Sequence, residues 1–266
     1  MKNHHVIRHL LCAALLLGAA AGLRAESETL NRIRRRDRLV VGTEMTFPTF
    51  NFKDPVTDRN EGFLADVARA LAKRLLGDEN KVEFRKTDDA TRLEMCARGD
   101  VDLLIDTIPP SAEKEKLVAF SDEVFLSGSA LLVKKGSAIK TIGDLKPGTR
   151  VAFVTANPDV KVIREKTPGA TYLEFEKSAD AVAALKDGRA DAFTQVVTHL
   201  YRAASLDASF TLTGRFTSKP YAMALKKDDP ELRAYLNDFL NSFRASGDYD
   251  RLFAKWFAAY GGETVR

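Results

Sequence analysis

Cysteine and histidine are scarce in this chain of 266 residues. It has two cysteines, Cys12 and Cys96, and four histidines, three of them within the first nine residues. Tryptophan occurs once, and no apolar run beyond residue 25 is long enough to cross a bilayer. Once residues 1–25 are set aside, Cys96 and His199 are the last of their kind. The remainder can then form no internal disulfide, no zinc finger and no Cys–His nucleophile pair. Gly-x-Ser-x-Gly, a phosphate loop ending in Gly-Lys-Ser/Thr and His-Glu-x-x-His are also missing, which leaves the common hydrolase, nucleotide-binding and metalloprotease readings without support. Neither a cofactor nor a metal is expected. Cys96 follows Leu93 and Met95 on the apolar face of a short helix and reads as a buried, unreactive thiol, and His199 reads as a surface helix residue.

What is present begins with a leader. Lys2 and Arg8 precede an apolar run over residues 10–21, too short to span a membrane, and small residues lead to Ala25. Residues 1–25 read as a cleaved secretory signal, with Ala21 as a second cutting point. Three of the four net positive charges lie in that segment (Lys2, Arg8 and Arg24, with no acid), so the mature protein is near neutral at +1. At 45% apolar and 29% charged residues the composition is that of an ordinary globular protein. The run Arg34-Arg35-Arg36 reads as a solvated helix face. With no aromatic platform beside it, nucleic acid is not an expected partner.

Short apolar runs alternate with amphipathic segments along the rest of the chain. Strands are expected at 39–42, 82–84, 101–105, 150–154, 190–193 and 220–225. Phe63, Val67, Leu71 and Leu75 recur every four residues before Gly77 and predict a helix. Further helices are expected at 91–97, at 111–117 under a Ser111 cap, at 179–185, and from Pro230 to the region of Phe257. This alternation argues for an α/β protein built as two lobes without a flexible spacer.

The motifs come in a recognisable order. Leu39-Val40-Val41-Gly42 is followed by Phe47-Pro48-x-Phe50, Gly62-Phe63-x-x-Asp66-Val67-Ala68, Gly99-Asp100-Val101-Asp102-Leu103 and Phe120-Ser121-Asp122. Gly128-x-x-Leu131-Leu132-Val133, Asp187-Gly188-Arg189-Ala190-Asp191-Ala192, Gly247-Asp248-Tyr249 and Lys255-Trp256-Phe257 complete the set. The series resembles the family 3 extracellular solute-binding proteins, the polar amino acid class. Residues 76–81 together with Arg92 resemble its glutamate/aspartate subgroup in particular.

The resemblance implies the type 2 periplasmic binding protein fold, two α/β lobes joined by two hinge strands with a ligand cleft between them. Lobe 1 would comprise residues 26–131 and 222–266, with lobe 2, residues 132–221, inserted between. The implied role is to capture a small carboxylate-bearing solute, a polar amino acid with the acidic ones included, in the periplasm. A monomer of this kind delivers its solute to an inner-membrane ABC permease and is not an enzyme. Two other roles use the same fold. One is a ligand-sensing or dehydrogenase-accessory protein, and the other is a cyclohexadienyl dehydratase-like enzyme, for which Glu44 or Asp106 would have to serve as general acid.

Ligands of open α/β sheets bind beyond the carboxyl ends of the strands. Loops 43–50, 106–114, 155–159 and 194–198 leave such ends and carry the candidates Glu44, Phe47, Phe50, Arg92, Asp106, Thr107, Ser111, Lys114, Thr155, Asn157 and Gln195. Phe47 offers a flat apolar face. Ser111 and Lys114 are expected at a helix start that would attract an anion. The resemblance gives Arg92 to a ligand side-chain carboxylate, which a guanidinium fork suits. Against the family pattern, its α-carboxylate arginine falls at Lys114, a hydroxyl at Pro109, its α-ammonium aspartate at Val196 and its threonine pair at Ala156-Asn157. Glu44, Asp106 and Asp159 remain as carboxylates for an amine.

Overall fold

Leucine, valine and glycine in one run make Leu39–Thr43 a strand (β1) buried along its whole length, and the rest of the first lobe assembles beside it. The structure, a computed structural model, describes residues 27–157 and 159–261; the expected leader lies outside the described residues. Ahead of β1, helix α1 (Glu28–Arg36) is capped by Ser27, whose hydroxyl accepts from Leu30 N–H. A small antiparallel sheet of β2 (Thr46–Phe47), β3 (Asn51–Lys53) and β4 (Asn60–Glu61) leads into α2 (Phe63–Leu76), which buries Phe63, Val67 and Leu71. Next come β5 (Val82–Lys86), α3 (Arg92–Arg98), β6 (Leu103–Leu104) and β7 (Val118–Ser127).

The chain then crosses at Gly128. The second lobe contains β8 (Ser129–Lys134), β9 (Arg150–Val154), α4 (Val160–Lys166), β10 (Thr171–Phe175), α5 (Ser178–Lys186), β11 (Ala192–Val196), α6 (Val197–Leu206) and β12 (Phe210–Leu212). It returns through β13 (Lys219–Lys226) to α7 (Pro230–Ala245), α8 (Asp248–Phe257) and a 3-10 turn, Ala258–Tyr260. The first sheet runs β5-β1-β6-β13-β7 and the second β10-β9-β11-β8-β12. In the first, β1 is parallel to β5 and β6; in the second, β9 is parallel to β10 and β11. The lobe boundaries expected at 131/132 and 221/222 fall inside β8 and β13. Pairing in the second sheet already includes Ser129, and pairing in the first resumes at Lys219.

One expectation is corrected. The helix predicted over 111–117 is only a three-residue 3-10 turn, Lys114–Lys116. Pro109 and Pro110 hold the preceding backbone extended, and β7 begins at Val118, so no second turn fits. The basic run Arg34-Arg35-Arg36 in α1 is exposed, as expected, although Arg36 joins Arg32 in reaching one buried acid. Arg32 donates twice to Oδ1 of the buried Asp102, at 3.2 and 3.0 Å, and Arg36 pairs with the other carboxylate oxygen. Val40 N–H adds a bond of 2.8 Å, so Asp102 ties α1 to the base of the first sheet.

The lobes touch through aromatic rings and through the chain end. Phe50, Phe125 and Phe257 of the first lobe form one buried cluster with Tyr201 of α6. Thr211 Oγ1 donates to Tyr260 O at 3.1 Å, and Leu212 bridges to Gly261, so the terminal turn is attached to the edge of the second sheet. Among the described residues no helix is long and apolar enough to cross a membrane.

Candidate ligand-binding site

In both sheets the parallel strands run at their carboxyl ends into the loops that carry the candidate residues. On the first-lobe side, β1 ends beside Glu44 and β6 runs into Asp106. Asp106 is 2% exposed and accepts from Glu44 N–H and Thr107 N–H, each at 2.7 Å, and from Thr43 Oγ1 at 3.4 Å. Burial pushes its carboxyl above the usual value; the Glu44 charge adds to that, while the two N–H bonds and Arg92 oppose it.

Arg92, 9% exposed, begins α3 behind a tight turn in which Asp88 Oδ1 accepts from Ala90 N–H, Thr91 N–H and Thr91 Oγ1. Its guanidinium spans two carboxylates, pairing with Asp89 and lying 3.7 Å from Asp106 Oδ2. The i,i+3 spacing of Asp89 and Arg92 is itself a pairing signal on a helix start.

Lys114 bends back on its own loop, donating from Nζ to Pro109 O at 2.6 Å. Burial holds its ammonium below the usual value, with the Arg92 and Lys219 charges working in the same direction. Ser111 is exposed, and its hydroxyl accepts weakly from Lys114 N–H at 3.4 Å. Three residues of 3-10 helix supply no significant dipole, so the anion site expected at a helix start is not formed there.

On the second-lobe side, Thr155 is exposed at the end of β9, its hydroxyl 3.4 Å from Phe175 O. Asn157 is buried and its amide is occupied. Nδ2 donates to Thr194 O at 3.1 Å and Oδ1 accepts from Asp159 N–H at 3.0 Å. Gln195, also buried, accepts from Val196 N–H at 2.9 Å. Val196, where the family pattern has an acid, is half-buried ahead of α6.

The aromatic candidates divide. Phe47 is half-buried and meets the His199 ring edge-on at 5.1 Å, a contact from lobe to lobe at the cleft rim. Phe50 is fully buried, with Phe125 at 4.9 Å and Phe257 at 5.1 Å, and has no free face for a ligand. His199 is exposed on α6, as expected; its ring contact with Phe47, about 150 positions earlier, is one that no sequence spacing reports.

The structure thus gathers Glu44, Arg92, Asp106 and Thr107 around one buried carboxylate, with Lys114 beside them. It places Thr155, Asn157 and Gln195 on the facing lobe. Glu44, Asp89 and Asp106 are matched by the cations Arg92, Lys114 and Lys219, so the first-lobe wall carries no net charge. Among the described residues no group of three or more His, Cys, Asp or Glu is arranged to hold a metal ion.

Residues 39–259 match the bacterial extracellular solute-binding proteins, family 3. An ABC transporter glutamine-binding protein from Bacillus subtilis (strain 168) is 38% identical over 255 residues, covering 92% of this chain and 93% of that one. A glutamate/aspartate import solute-binding protein from Salmonella typhimurium is 26% identical over 268 residues, covering 94% and 89%. Of these two the glutamine-binding relative is the more similar, although Arg92 and residues 76–81 had suggested the acidic subgroup. The crystal structure of an ancestral amino acid-binding protein, described as a precursor of cyclohexadienyl dehydratase, is 34% identical with a TM-score of 0.59, covering 86% of this chain and 99% of that one. The fold is that of the type 2 periplasmic binding proteins. With the match running from β1 to the turn after α8 and similarity sustained over most of both chains, this protein belongs to the bacterial extracellular solute-binding proteins, family 3.

Proposed function

We propose that this protein captures an amino acid with an uncharged polar side chain, glutamine being the first to test, and delivers it to an ABC permease. It acts as a monomer outside the cytoplasmic membrane after loss of the leader. The likeness to a glutamine-binding transport protein supports the class of solute. The side-chain preference rests on one observation: Arg92 already faces Asp89 and Asp106. A ligand carboxylate placed there would meet a guanidinium whose charge is balanced twice over, with two acids beside it. An amide meets no such repulsion. The ligand ammonium then has the half-buried Glu44 carboxylate as its acceptor, Phe47 covers the apolar stem, and closure of the lobes encloses the whole.

Isothermal titration with glutamine, arginine, glutamate and aspartate tests this. Glutamine should bind most tightly, and at 100 times its dissociation constant it should add about 2.7 kcal/mol to stability. Tighter binding of glutamate would overturn the side-chain assignment, and silence with every amino acid would overturn the function.

The dehydratase reading draws on Asp106, the buried carboxyl in the cleft with a raised pKa. That carboxyl is already committed to Glu44, Thr107 and Thr43 rather than presented to a substrate. Incubation with a carboxylated cyclohexadienol should therefore give no aromatic product.

A further inference from the structure

The two places where the chain changes lobes meet at one carboxylate. Gly128 and Thr217 belong to the two crossing segments, and a Cβ on Gly128 would lie 2.1 Å from Thr217 O. Ser129 N–H donates to Thr217 Oγ1 at 2.7 Å. Both hydroxyls then donate to Asp159 Oδ2, Ser129 Oγ at 2.7 Å and Thr217 Oγ1 at 2.9 Å. Asp159 ends the loop that leaves β9, and its own N–H donates to Asn157 Oδ1, while Asn157 Nδ2 reaches Thr194 O. An unbroken series of hydrogen bonds therefore links the cleft end of β11, next to Gln195, with both crossings. Bonds to a carboxylate are the stronger kind, and here they join the segments about which the lobes must turn.

We propose that Asp159 is a positioning residue for ligand capture. Its carboxylate fixes both crossings to the loop after β9, so the setting of that loop decides how far the lobes close. This rests on the binding function proposed above. The competing role for an acid here is counter-ion to the ligand ammonium, and the two roles ask different things of residue 159. An anchor needs acceptor atoms, which an amide oxygen keeps. A counter-ion needs charge, which an amide lacks.

The test uses the chain after loss of the leader, and so without Cys12, with spin labels at Val56→Cys and Leu206→Cys, one per lobe and 90% and 77% exposed, the native Cys96 being buried. Interlobe distances are measured with and without glutamine, and affinity by titration. Asp159→Asn should keep the distances and the affinity. Asp159→Ala should broaden the ligand-free distances and weaken binding about tenfold, the scale of one charge-assisted hydrogen bond. The pair Ser129→Ala with Thr217→Val should reproduce Asp159→Ala without touching the carboxylate, and it decides the matter if Asp159→Ala does not fold. Equal loss of affinity in Asp159→Asn and Asp159→Ala, with unchanged ligand-free distances, would overturn the proposal and make Asp159 a counter-ion. If the wild type binds no amino acid, the proposed function fails, while the ligand-free distances still test the anchor.

Discussion

Tyr201 and Phe257 hold their ring centroids 4.4 Å apart, inclined by 35°, across the junction of the two lobes. Tyr201 stands on α6 and Phe257 closes α8, so the pair joins the second lobe to the last helix of the first.

Phe257 is fully buried and also meets Phe50, Phe63, Phe125 and Phe253. Phe257→Ala should cost about 3–5 kcal/mol in urea unfolding, through lost contact and the cavity left behind. A loss below about 1 kcal/mol would mean that the junction repacks around the gap.

Arg92 holds Asp89 and Asp106 at once, which a planar fork can do and a single ammonium cannot. Arg92→Lys should lower Tm while leaving the ratio of glutamine to glutamate affinity unchanged. A selective fall in glutamate affinity would return Arg92 to the ligand side-chain carboxylate.

The Cys96 thiol is 1% exposed, and burial first, with the Asp102 charge second, pushes its pKa up to about 12. At pH 8 almost no thiolate forms and no reagent reaches it. Alkylation of the native protein should be negligible over an hour and complete in urea; rapid native labelling would show that α3 opens.

At Asp66, burial opposes ionisation, but bonds from Lys255, Trp256 and Arg69 outweigh it and hold the carboxyl below its ordinary value. The folded state therefore binds the proton less readily than the unfolded chain. The stabilisation is complete above the unfolded pKa of about 3.9 and is lost as pH falls through the folded one. Asp66→Asn should flatten the acid limb of stability against pH, leaving its neutral part parallel to wild type. An unchanged acid limb would remove Asp66 from acid unfolding.

Strands with continuous apolar runs, such as Leu39–Thr43 and Arg150–Val154, were legible because burial on both faces leaves a local signature. So was α2, through its four-residue spacing. The segment 111–117 was misread because Ser111 with acids after it looks like a capped helix, and only the nearness of β7 shows that no room exists. At the site, Glu44, Arg92 and Asp106 could be named as candidates, but their mutual contact could not. That contact decides whether Arg92 serves a ligand or two neighbouring acids. Phe47 and Phe50 have the same residue type three positions apart, and nothing local says that one lines the rim and the other enters the core. Asp102, Asp159 and His199 take partners between 30 and about 150 residues away. Such pairings belong to the topology rather than to any window of sequence.

The strand β13 lies inside the first sheet, between β6 and β7, yet it is the last strand to be synthesised. Until residue 226 has emerged, that sheet is split in two, and α7 and α8, which cover it, follow later still. The second sheet draws all its strands from residues 129–212 and is complete earlier. The inserted lobe can therefore complete its sheet with pairings no more than about 80 residues apart, while its host waits for pairings across about 90–120 residues. Final closure of the host sheet is thus held back until nearly the whole polypeptide has been made.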